Sequence, residues 1–373
     1  MKKQALPGVL GTLSPEVFMR TYWQKKPLLI RQAVAQPQPL LSRQTLWALA
    51  GQEGVESRLI TGDIRRKQWT FAHGPFKPRD LPSRQQPHWT LLVQGVDLLD
   101  EAVAQLRDRF RFVPDARLDD VMISYATDGG GVGPHFDSYD VFLLQTQGQR
   151  RWRISPQSDL RLREDVPLKI LKAFKPTETW VLEPGDMLYL PPHYAHEGVA
   201  VGECMTCSIG FKASSPEGLA ADLLPRLADM GPEKHAPLYQ DPSQKATQHP
   251  AQIPPALQRF ARQALLAAVK RSTDLHCVLG ESLTEPKPQV WFDAQPAPQT
   301  LKAVQLDRKS KMLYDDEHVY LNGESWRCAG ADADCLRLLA NQRKLTAAQI
   351  AKASKAVKAV LKDWMAAGWL HPI

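Results

Sequence analysis

The chain of 373 residues has no run of about 18 apolar residues, the length that a membrane-spanning helix needs. Its basic start, Met1-Lys2-Lys3, is not followed by the apolar core of a secretory signal. Its five cysteines are odd in number and scattered, which favours reduced thiols over a disulfide framework. These absences predict a cytoplasmic protein without a membrane segment.

Proline and basic charge, by contrast, are plentiful. Thirty prolines against 22 glycines suit a fold rich in loops and strand ends rather than a helical bundle. Lysine and arginine outnumber aspartate and glutamate by 47 to 40, a net charge of +7 that permits an anionic partner such as RNA without requiring one. The 43% hydrophobic content is typical of a globular protein, and the length predicts two or three domains.

Short apolar runs separated by turn signals fill residues 1–213 and predict an all-β barrel or jelly roll. An early strand is predicted directly after the breaker Lys25-Lys26-Pro27. Further strands are predicted at residues 121–125, 139–145, 151–154, 180–182, 187–190 and 205–212. Turns are predicted at residues 128–131, 147–148 and 183–186, where glycine stands among polar residues.

The pattern changes after residue 213, where helical spacing takes over. Helices are predicted at residues 214–238 and 255–271, with a polar, proline-punctuated loop at 240–252 between them. From residue 286 short strands mix with helices. The last helix is predicted to begin at a capping box of Thr346 and Gln349 and to end at Gly368, before a short terminal strand. This order fits a small winged-helix unit.

Four lysines near the C-terminus follow helical spacing and predict one basic helix face. They are Lys352, Lys355, Lys358 and Lys362. Such a face is either solvated or a docking surface for acidic RNA or protein.

A histidine and a carboxylate two residues apart, His135 and Asp137, are the strongest chemical signal. Positions i and i+2 of a strand share a face, so both side chains can reach one metal ion. His196 follows 61 residues later, just past the strand predicted at 187–190, and supplies a third ligand. His193 competes with His196 for that role. Two imidazoles and one carboxylate leave three positions of an iron ion open, which is the arrangement of non-haem iron(II) oxygenases.

Arg150, after the turn predicted at 147–148, adds a co-substrate to this hypothesis. A guanidinium fork suits bidentate binding of the distal carboxylate of 2-oxoglutarate, while the oxo-acid end chelates iron and O2 takes the last position. The alternative for the arginines here is a solvated strand edge, and that interpretation is favoured for Arg151 and Arg153.

Two further motifs are not assigned a function. Cys204 and Cys207 have the spacing of a zinc or redox pair, but i and i+3 of a strand face opposite ways, so buried thiols are predicted. The glycine-rich segment 129–133 lacks the lysine and spacing of a phosphate-binding loop and is expected to pass close to the metal.

Several segments together resemble the bacterial ribosomal oxygenases, cupin-fold relatives of the JmjC hydroxylases. Residues 128–142 read Asp-Gly-Gly-Gly-Val-Gly-Pro-His-Phe-Asp-Ser-Tyr-Asp-Val-Phe, and residues 149–153 read Gln-Arg-Arg-Trp-Arg. Residues 22–31 and 184–198 are similar to the same family. The resemblance covers essentially the whole chain and is strongest over residues 121–212.

The resemblance implies an α+β protein in three parts. These are a double-stranded β-helix catalytic domain at 1–213, a helical dimerisation domain at 214–285 and a winged-helix domain at 286–373. It implies hydroxylation of an arginine of large-subunit ribosomal protein sixteen at its β-carbon, with iron(II), 2-oxoglutarate and O2. Arg150 matches the family's basic residue for the 2-oxoglutarate tail, and Asp128 matches a position that holds the substrate guanidinium. We also expect Ser208 to contact the co-substrate.

Alternatives remain open from the residues alone. Asp128 also fits a carboxylate that stabilises the glycine turn. The apolar helix at 255–271 is either buried within the subunit or paired with a second subunit, as the family's homodimer implies. Two rival functions are a cupin metalloenzyme that acts on a small molecule without 2-oxoglutarate, and a ribosome- or RNA-binding adaptor with a vestigial iron site.

Overall fold

The computed structural model of the protein describes residues 8–34, 40–63, 68–166, 168–229, 238–243, 251–270 and 272–373. The chain divides into two units, Met1–Ala213 and Ser214–Ile373. The division of the second unit at residue 285 stays a prediction.

The first unit contains three α-helices and nine strands within the described residues. The helices are α1 (Pro15–Thr21), α2 (Arg43–Ala50) and α3 (Glu101–Asp108). The strands are β1 (Leu28–Ile30), β2 (Ser57–Asp63), β3 (Gln68–His73), β4 (Trp89–Val93), β5 (Leu118–Ala126), β6 (Asp140–Ser155), β7 (Glu178–Leu182), β8 (Met187–Leu190) and β9 (Ala195–Phe211).

The nine strands form one antiparallel sheet. They pair in the order β1-β8-β6-β9-β5-β4-β2-β3, and β7 pairs with the second half of β6. Successive side chains of a strand point to opposite faces. Phe142 and Leu144 therefore join the larger core, whereas Val141, Leu143 and Trp152 join a second one. We call the side of β6 and β9 that carries this second core the inner face.

The three helices cover the opposite, outer face. Each begins at a residue whose side chain accepts an otherwise unpaired backbone N–H, namely Ser14, Ser42 and Asp100. The Phe18 ring of α1 is fully buried, 4.9 Å from the ring of Tyr189 on β8. Burial of a phenylalanine stabilises the fold by about 1.5–3 kcal/mol, so α1 is anchored mainly by this one ring.

The turn predicted at Gln147 and Gly148 is wrong, because β6 runs without interruption from Asp140 to Ser155. The two strands predicted there are one strand with an irregular register against β9. Gly148 has a φ of +59°, and a Cβ at this position would lie 2.0 Å from the backbone oxygen of Glu203. A glycine before an arginine-rich run therefore marks a β-bulge with close backbone contact, which has the same local composition as a turn.

The last strand of the sheet begins ten residues before the predicted start, at Ala195 instead of 205. Its first half contains His196, Glu197 and Gly198, which depress strand propensity. All three are nevertheless buried, because β6 pairs with this half over its whole length. Pairing with a partner distant in sequence overrides the local signal here.

The second unit contains six α-helices and six short strands within the described residues. The helices are α4 (Pro216–Asp229), α5 (Pro255–Lys270), α6 (Ser272–Thr284), α7 (Gly330–Gln342), α8 (Ala347–Lys352) and α9 (Lys355–Ala366). The strands are β10 (Val304–Leu306), β11 (Met312–Tyr314), β12 (His318–Leu321), β13 (Glu324–Arg327), β14 (Lys344–Leu345) and β15 (Leu370–Pro372). They form two sheets, β14-β10-β15 and β11-β12-β13.

The predicted helix between Thr346 and Gly368 is two helices. The capping box of Thr346 and Gln349 is confirmed at the start of α8. Ser354 then begins α9, because its hydroxyl accepts the N–H of Val357 at 3.1 Å. The four lysines consequently do not share one helix, since Lys352 ends α8 and the other three lie on α9.

The other predicted elements agree in part with the structure. Helix α4 ends at Asp229, and residues 230–237 of the predicted helix lie outside the described residues. The same holds for residues 244–250 of the predicted loop and for residue 271. No helix in the described ranges combines the length and the apolar character that crossing a membrane requires.

Candidate functional site

The His135 and Asp137 side chains meet the distant His196 beside the start of β9. Within the described part of the chain, His135, Asp137 and His196 form a cluster whose ligand atoms all lie within 4.8 Å of one another. Nε2 of His196 is 3.5 Å from Oδ2 of Asp137, and the two imidazole centroids are 4.2 Å apart. Atoms at these separations can bind a single metal ion.

The backbone holds this cluster together by pairing the loop after β5 with β9. His135 and His196 exchange two backbone hydrogen bonds, of 2.9 and 2.8 Å. The backbone N–H of His193 donates to the carbonyl of Asp137 at 2.7 Å. His135 lies in an isolated bridge rather than in a regular strand, the geometry assumed for the pair with Asp137, but the local extended pairing still brings the cluster together.

The ring orientation of both histidines is set by backbone carbonyls. Nδ1 of His135 is 2.9 Å from the carbonyl of Gly133, and Nδ1 of His196 is 2.8 Å from the carbonyl of Tyr194. A carbonyl only accepts, so each Nδ1 carries a proton, and in the neutral form of each ring the lone pair is then on Nε2. This is the arrangement by which protein groups behind a metal site orient its histidine ligands.

Burial keeps His196 neutral. Its pKa is lowered to about 4, first by desolvation and then by the neighbouring His135, while Asp137 opposes the shift. A neutral imidazole is the form that binds a metal.

The competing histidine, His193, does not join the cluster. It is exposed, has a φ of +61° and packs edge-on against the ring of Phe136, with centroids 5.6 Å apart. The alternative ligand set with His193 is therefore not the one that the fold brings together.

Arg150 is buried on the inner face, the face of β6 and β9 on which His196 also lies. Its side chain is only 5% exposed, and neither Nε nor Nη2 has a hydrogen-bond partner among the described residues. The guanidinium lies 5.8 Å from the ring centroid of Trp152, whose ring centroid is 5.9 Å from that of His196. A buried cation without a partner is costly unless a ligand supplies an anion, so this geometry fits the carboxylate of a small acid.

Space for the Trp152 indole comes from a glycine on the facing strand. Gly198 is paired with Trp152, and a Cβ there would lie 2.7 Å from the ring. Ala200, opposite Arg150, is also small. Arg150 and His196 thereby lie on one face of the β6–β9 pair, on either side of the Trp152 indole.

The other two predicted site residues lie in the first unit, Ser208 on β9 and Asp128 in the turn after β5. Ser208 is buried and is paired with Leu143, which places it on the inner face. Asp128 is exposed, and its Oδ1 accepts the N–H of Gly202 at 2.8 Å. One carboxylate oxygen of Asp128 thus holds the backbone of Gly202 on β9, which is a structural role but not the expected contact with its own glycine turn. Contact of Ser208 with the co-substrate, and of Asp128 with a substrate, stay predictions.

Two residues near the cluster were missed or misassigned from the sequence. Arg153 was expected to be a solvated strand edge, but its Nε donates to the buried carboxylate of Glu197 at 2.7 Å, directly after His196. Tyr139 lies two residues after Asp137, and burial followed by the charges of Asp137 and Asp120 raises the pKa of its hydroxyl. The signals in the sequence were Glu197 directly after His196 and Tyr139 two residues after Asp137; nothing near Arg153 pointed to its pairing with Glu197.

The predicted buried thiols are found. Cys204 and Cys207 are both at most 1% exposed, and desolvation raises the pKa of the Cys207 thiol. A redox or zinc function is disfavoured, because it requires an accessible thiolate.

This fold and metal-binding cluster define a JmjC-type cupin enzyme with a C-terminal winged helix. Residues 105–219 match the model of the JmjC domain, and residues 265–371 match that of the ROXA-like winged helix. The chain is 34% identical to the ribosomal protein uL16 3-hydroxylase of Escherichia coli K12 over 279 residues, which are 74% of this chain and 72% of the relative. The chain therefore belongs to the ribosomal oxygenases, and the family and fold predicted from the sequence are confirmed.

Solved structures support the same family. The X-ray structure of E. coli YcfD matches with a TM-score of 0.85 at 29% identity, covering 96% of this chain and 98% of that one. The structure of YcfD, a ribosomal oxygenase, in complex with cobalt and 2-oxoglutarate matches with a TM-score of 0.81 at the same identity and coverage. A metal and 2-oxoglutarate are thus bound by a relative with the same fold.

Proposed function

We propose that the protein is an iron(II)- and 2-oxoglutarate-dependent hydroxylase that modifies an arginine side chain of a large-subunit ribosomal protein. The observation that supports this proposal is the buried guanidinium of Arg150, whose Nε and Nη2 have no hydrogen-bond partner among the described residues, on the same face as the cluster of His135, Asp137 and His196. A generic metal site needs only the cluster. The addition of a buried cation favours a co-substrate with a distal carboxylate over a cupin enzyme that works without one.

The side chains have separate tasks in this proposal. The two Nε2 atoms and the Asp137 carboxylate hold the metal, which together with 2-oxoglutarate and O2 supplies the oxidising power for hydroxylation. Arg150 fixes the other end of 2-oxoglutarate, so the oxo acid meets the metal in one orientation. Trp152 lines the space between and excludes water from it.

The substrate is inferred from the relative and from the chemistry of the rim. The E. coli relative is named for 3-hydroxylation of ribosomal protein uL16, and position 3 of an arginine is its β-carbon. Asp128 is exposed and has a second carboxylate oxygen beyond the one used by Gly202, so it can pair with a guanidinium. A ribosomal substrate further implies a cytoplasmic location. The net charge of +7 is compatible with an additional weak contact to ribosomal RNA.

A homodimer is part of the proposal, with α5 as its contact. Leu257, Leu265 and Val269 recur at helical spacing on this helix and are exposed, as is Leu266. A helix with an exposed apolar stripe gains stability by covering it with a second apolar surface. Leu265→Glu with Leu266→Glu is expected to produce monomers in sedimentation experiments, whereas Gln263→Glu, exposed on the opposite side of the same helix, is a control that keeps the dimer. A monomeric wild type would contradict this contact.

Mass spectrometry of ribosomal proteins tests the reaction and the substrate together. Incubation of the protein with iron(II), 2-oxoglutarate, air and unmodified ribosomal proteins is expected to add one oxygen atom to one arginine of uL16. His196→Ala is expected to abolish the modification. His193→Ala, an exposed histidine three residues away, is the matched control and retains it.

Other results would point to the rival functions. Modification that proceeds without 2-oxoglutarate would indicate another kind of cupin metalloenzyme. RNA binding that falls with salt, persists in His196→Ala and occurs without modification of any ribosomal protein would indicate an adaptor.

A further inference from the structure

A cleft in the second unit is lined by three tryptophans and two carboxylates. Trp326 on β13, Trp364 on α9 and Trp369 after α9 form its aromatic wall, and Glu324 and Asp363 lie beside them. A valine and an alanine of α9 and the turn that follows it complete the lining. The cleft has a volume of about 300 Å³, room for about ten water molecules or one long side chain. Neither the metal cluster nor the inner face of the first unit contributes to it.

The indoles are arranged as walls rather than as a stack. Trp326 meets Trp364 at 4.8 Å between centroids and Trp369 at 6.4 Å, with interplanar angles of 74° in both pairs. Trp364 is buried and fixed, whereas Trp326 and Trp369 are partly exposed. Inclined indole faces around a cavity are the geometry that binds organic cations, because the face of each ring carries negative potential.

The two carboxylates of the cleft also favour a cationic ligand. Glu324 and Asp363 are exposed, and among the described residues neither side chain forms an ion pair or a hydrogen bond. Within the part of the chain that the structure describes, no lysine or arginine lines the cleft. On a chain with a net charge of +7, this is a local negative site that attracts cations and repels phosphates.

We propose that this cleft binds an arginine side chain of a basic polypeptide, separately from the catalytic site. A guanidinium stacks on indole faces and pairs with carboxylates through a planar fork, whereas a lysine ammonium does only the second well. The small volume suits one side chain rather than a folded surface or a nucleotide. The winged-helix unit then acts as a second contact for a basic protein, and the two carboxylates exclude RNA from this position.

Fluorine NMR on protein that carries 5-fluorotryptophan tests the site directly. The full-length protein, without metal or 2-oxoglutarate, is titrated with the peptide acetyl-Gly-Arg-Gly-amide. The signals of Trp326 and Trp369 are expected to shift with saturation. Trp291 is the internal control, because it is 74% exposed and does not line the cleft. The matched peptide with citrulline in place of arginine has nearly the same shape without the charge and is expected to bind at least tenfold more weakly.

The double variant Glu324→Gln with Asp363→Asn locates the interaction. Both residues are exposed, so the fold is retained, and the affinity for the arginine peptide is expected to fall at least tenfold. Equal binding of both peptides, an unchanged affinity in the double variant, or no shift of the cleft signals each overturns the proposal. Free arginine that binds as tightly as the peptide would mean a small cation as the ligand. Shifts caused by an RNA oligonucleotide, or by protein concentration alone, would mean a different partner.

This test does not depend on the proposed hydroxylation. The metal, the co-substrate and the ribosomal substrate are all absent from it. Peptide binding without enzymatic activity would contradict the proposed function alone, and activity without peptide binding would contradict this inference alone.

Discussion

Replacement of Arg150 by glutamine tests whether its guanidinium binds the distal carboxylate of 2-oxoglutarate. Arg150 is buried and its Nε and Nη2 are unpartnered in the described residues, so the bound co-substrate would supply their acceptors. In Arg150→Gln the distal carboxylate would be buried opposite a neutral amide. Removal of one partner from a buried charge pair costs about 2–5 kcal/mol. At about 1.4 kcal/mol per tenfold, the Kd for 2-oxoglutarate rises about 30- to 4,000-fold.

The stability of the ligand-free protein is expected to change in the opposite direction. A buried guanidinium without an anion destabilises the folded state, and glutamine removes that charge. The Tm of ligand-free Arg150→Gln is therefore equal to or higher than that of the wild type. Opposite changes in affinity and stability distinguish a lost ligand contact from general unfolding.

Calorimetric titration of 2-oxoglutarate into protein loaded with manganese(II), which replaces iron without turnover, measures the affinity. Arg150→Lys keeps the charge but loses the fork, so its affinity is expected to be intermediate. Arg151→Gln changes the exposed neighbour on the other face and is expected to bind as the wild type does. An unchanged Kd in Arg150→Gln, or a loss of affinity that comes with a lower Tm, would refute the assignment of Arg150.

Three further predictions concern the surroundings of the site. Gly148→Ala combines a left-handed φ with a contact of 2.0 Å to a backbone oxygen, so it is expected to destabilise by more than about 2 kcal/mol in thermal unfolding. Gly202→Ala has a φ of +70° but nothing within 4 Å, so it costs only the backbone strain of about 1 kcal/mol, and equal losses would contradict the bulge contact. Arg153→Ala removes the guanidinium bonded to a buried carboxylate and is expected to lower the Tm, whereas Arg161→Ala, from an exposed pair, leaves it unchanged. Asp128→Asn keeps an oxygen that accepts the N–H of Gly202 but loses the negative charge. We therefore expect a raised KM for the arginine substrate at constant Tm, whereas an unchanged KM would leave Asp128 with a purely structural role.

The metal cluster was largely predictable because its chemistry is local in sequence. His135 and Asp137 stand two residues apart, and any extended backbone puts such a pair on one side. Arg150 was predictable by its distance from His135 within the family motif. His196 was predicted over His193 from the sequence, although both follow the same strand, and the fold supplies the reason. Only the backbone exchange with His135 brings His196 into the cluster.

The continuity of the long strands was not predictable from local composition. Gln147-Gly148 has the composition of a turn, and only the approach of the Glu203 carbonyl reveals a bulge. Likewise, the break at Ser354 divides a segment whose spacing is helical throughout, because a single capping hydroxyl favours a new helix start. The pairing of Arg153 with Glu197 depends on a register between strands that are more than 40 residues apart in sequence.

The register of β6 against β9 links stability to catalysis. Arg150, Trp152 and Ile154 face Ala200, Gly198 and His196 in turn, so alternate residues put the anion-binding and metal-binding ends on one face. A slip of one residue would turn the guanidinium outward, because side chains alternate with a period of two. The bulge at Gly148 lies directly before this stretch, where the pairing resumes at Gln149. A change at Gly148 that shifts the register is therefore expected to lower the affinity for 2-oxoglutarate as well as the Tm, although the glycine itself contacts neither ligand.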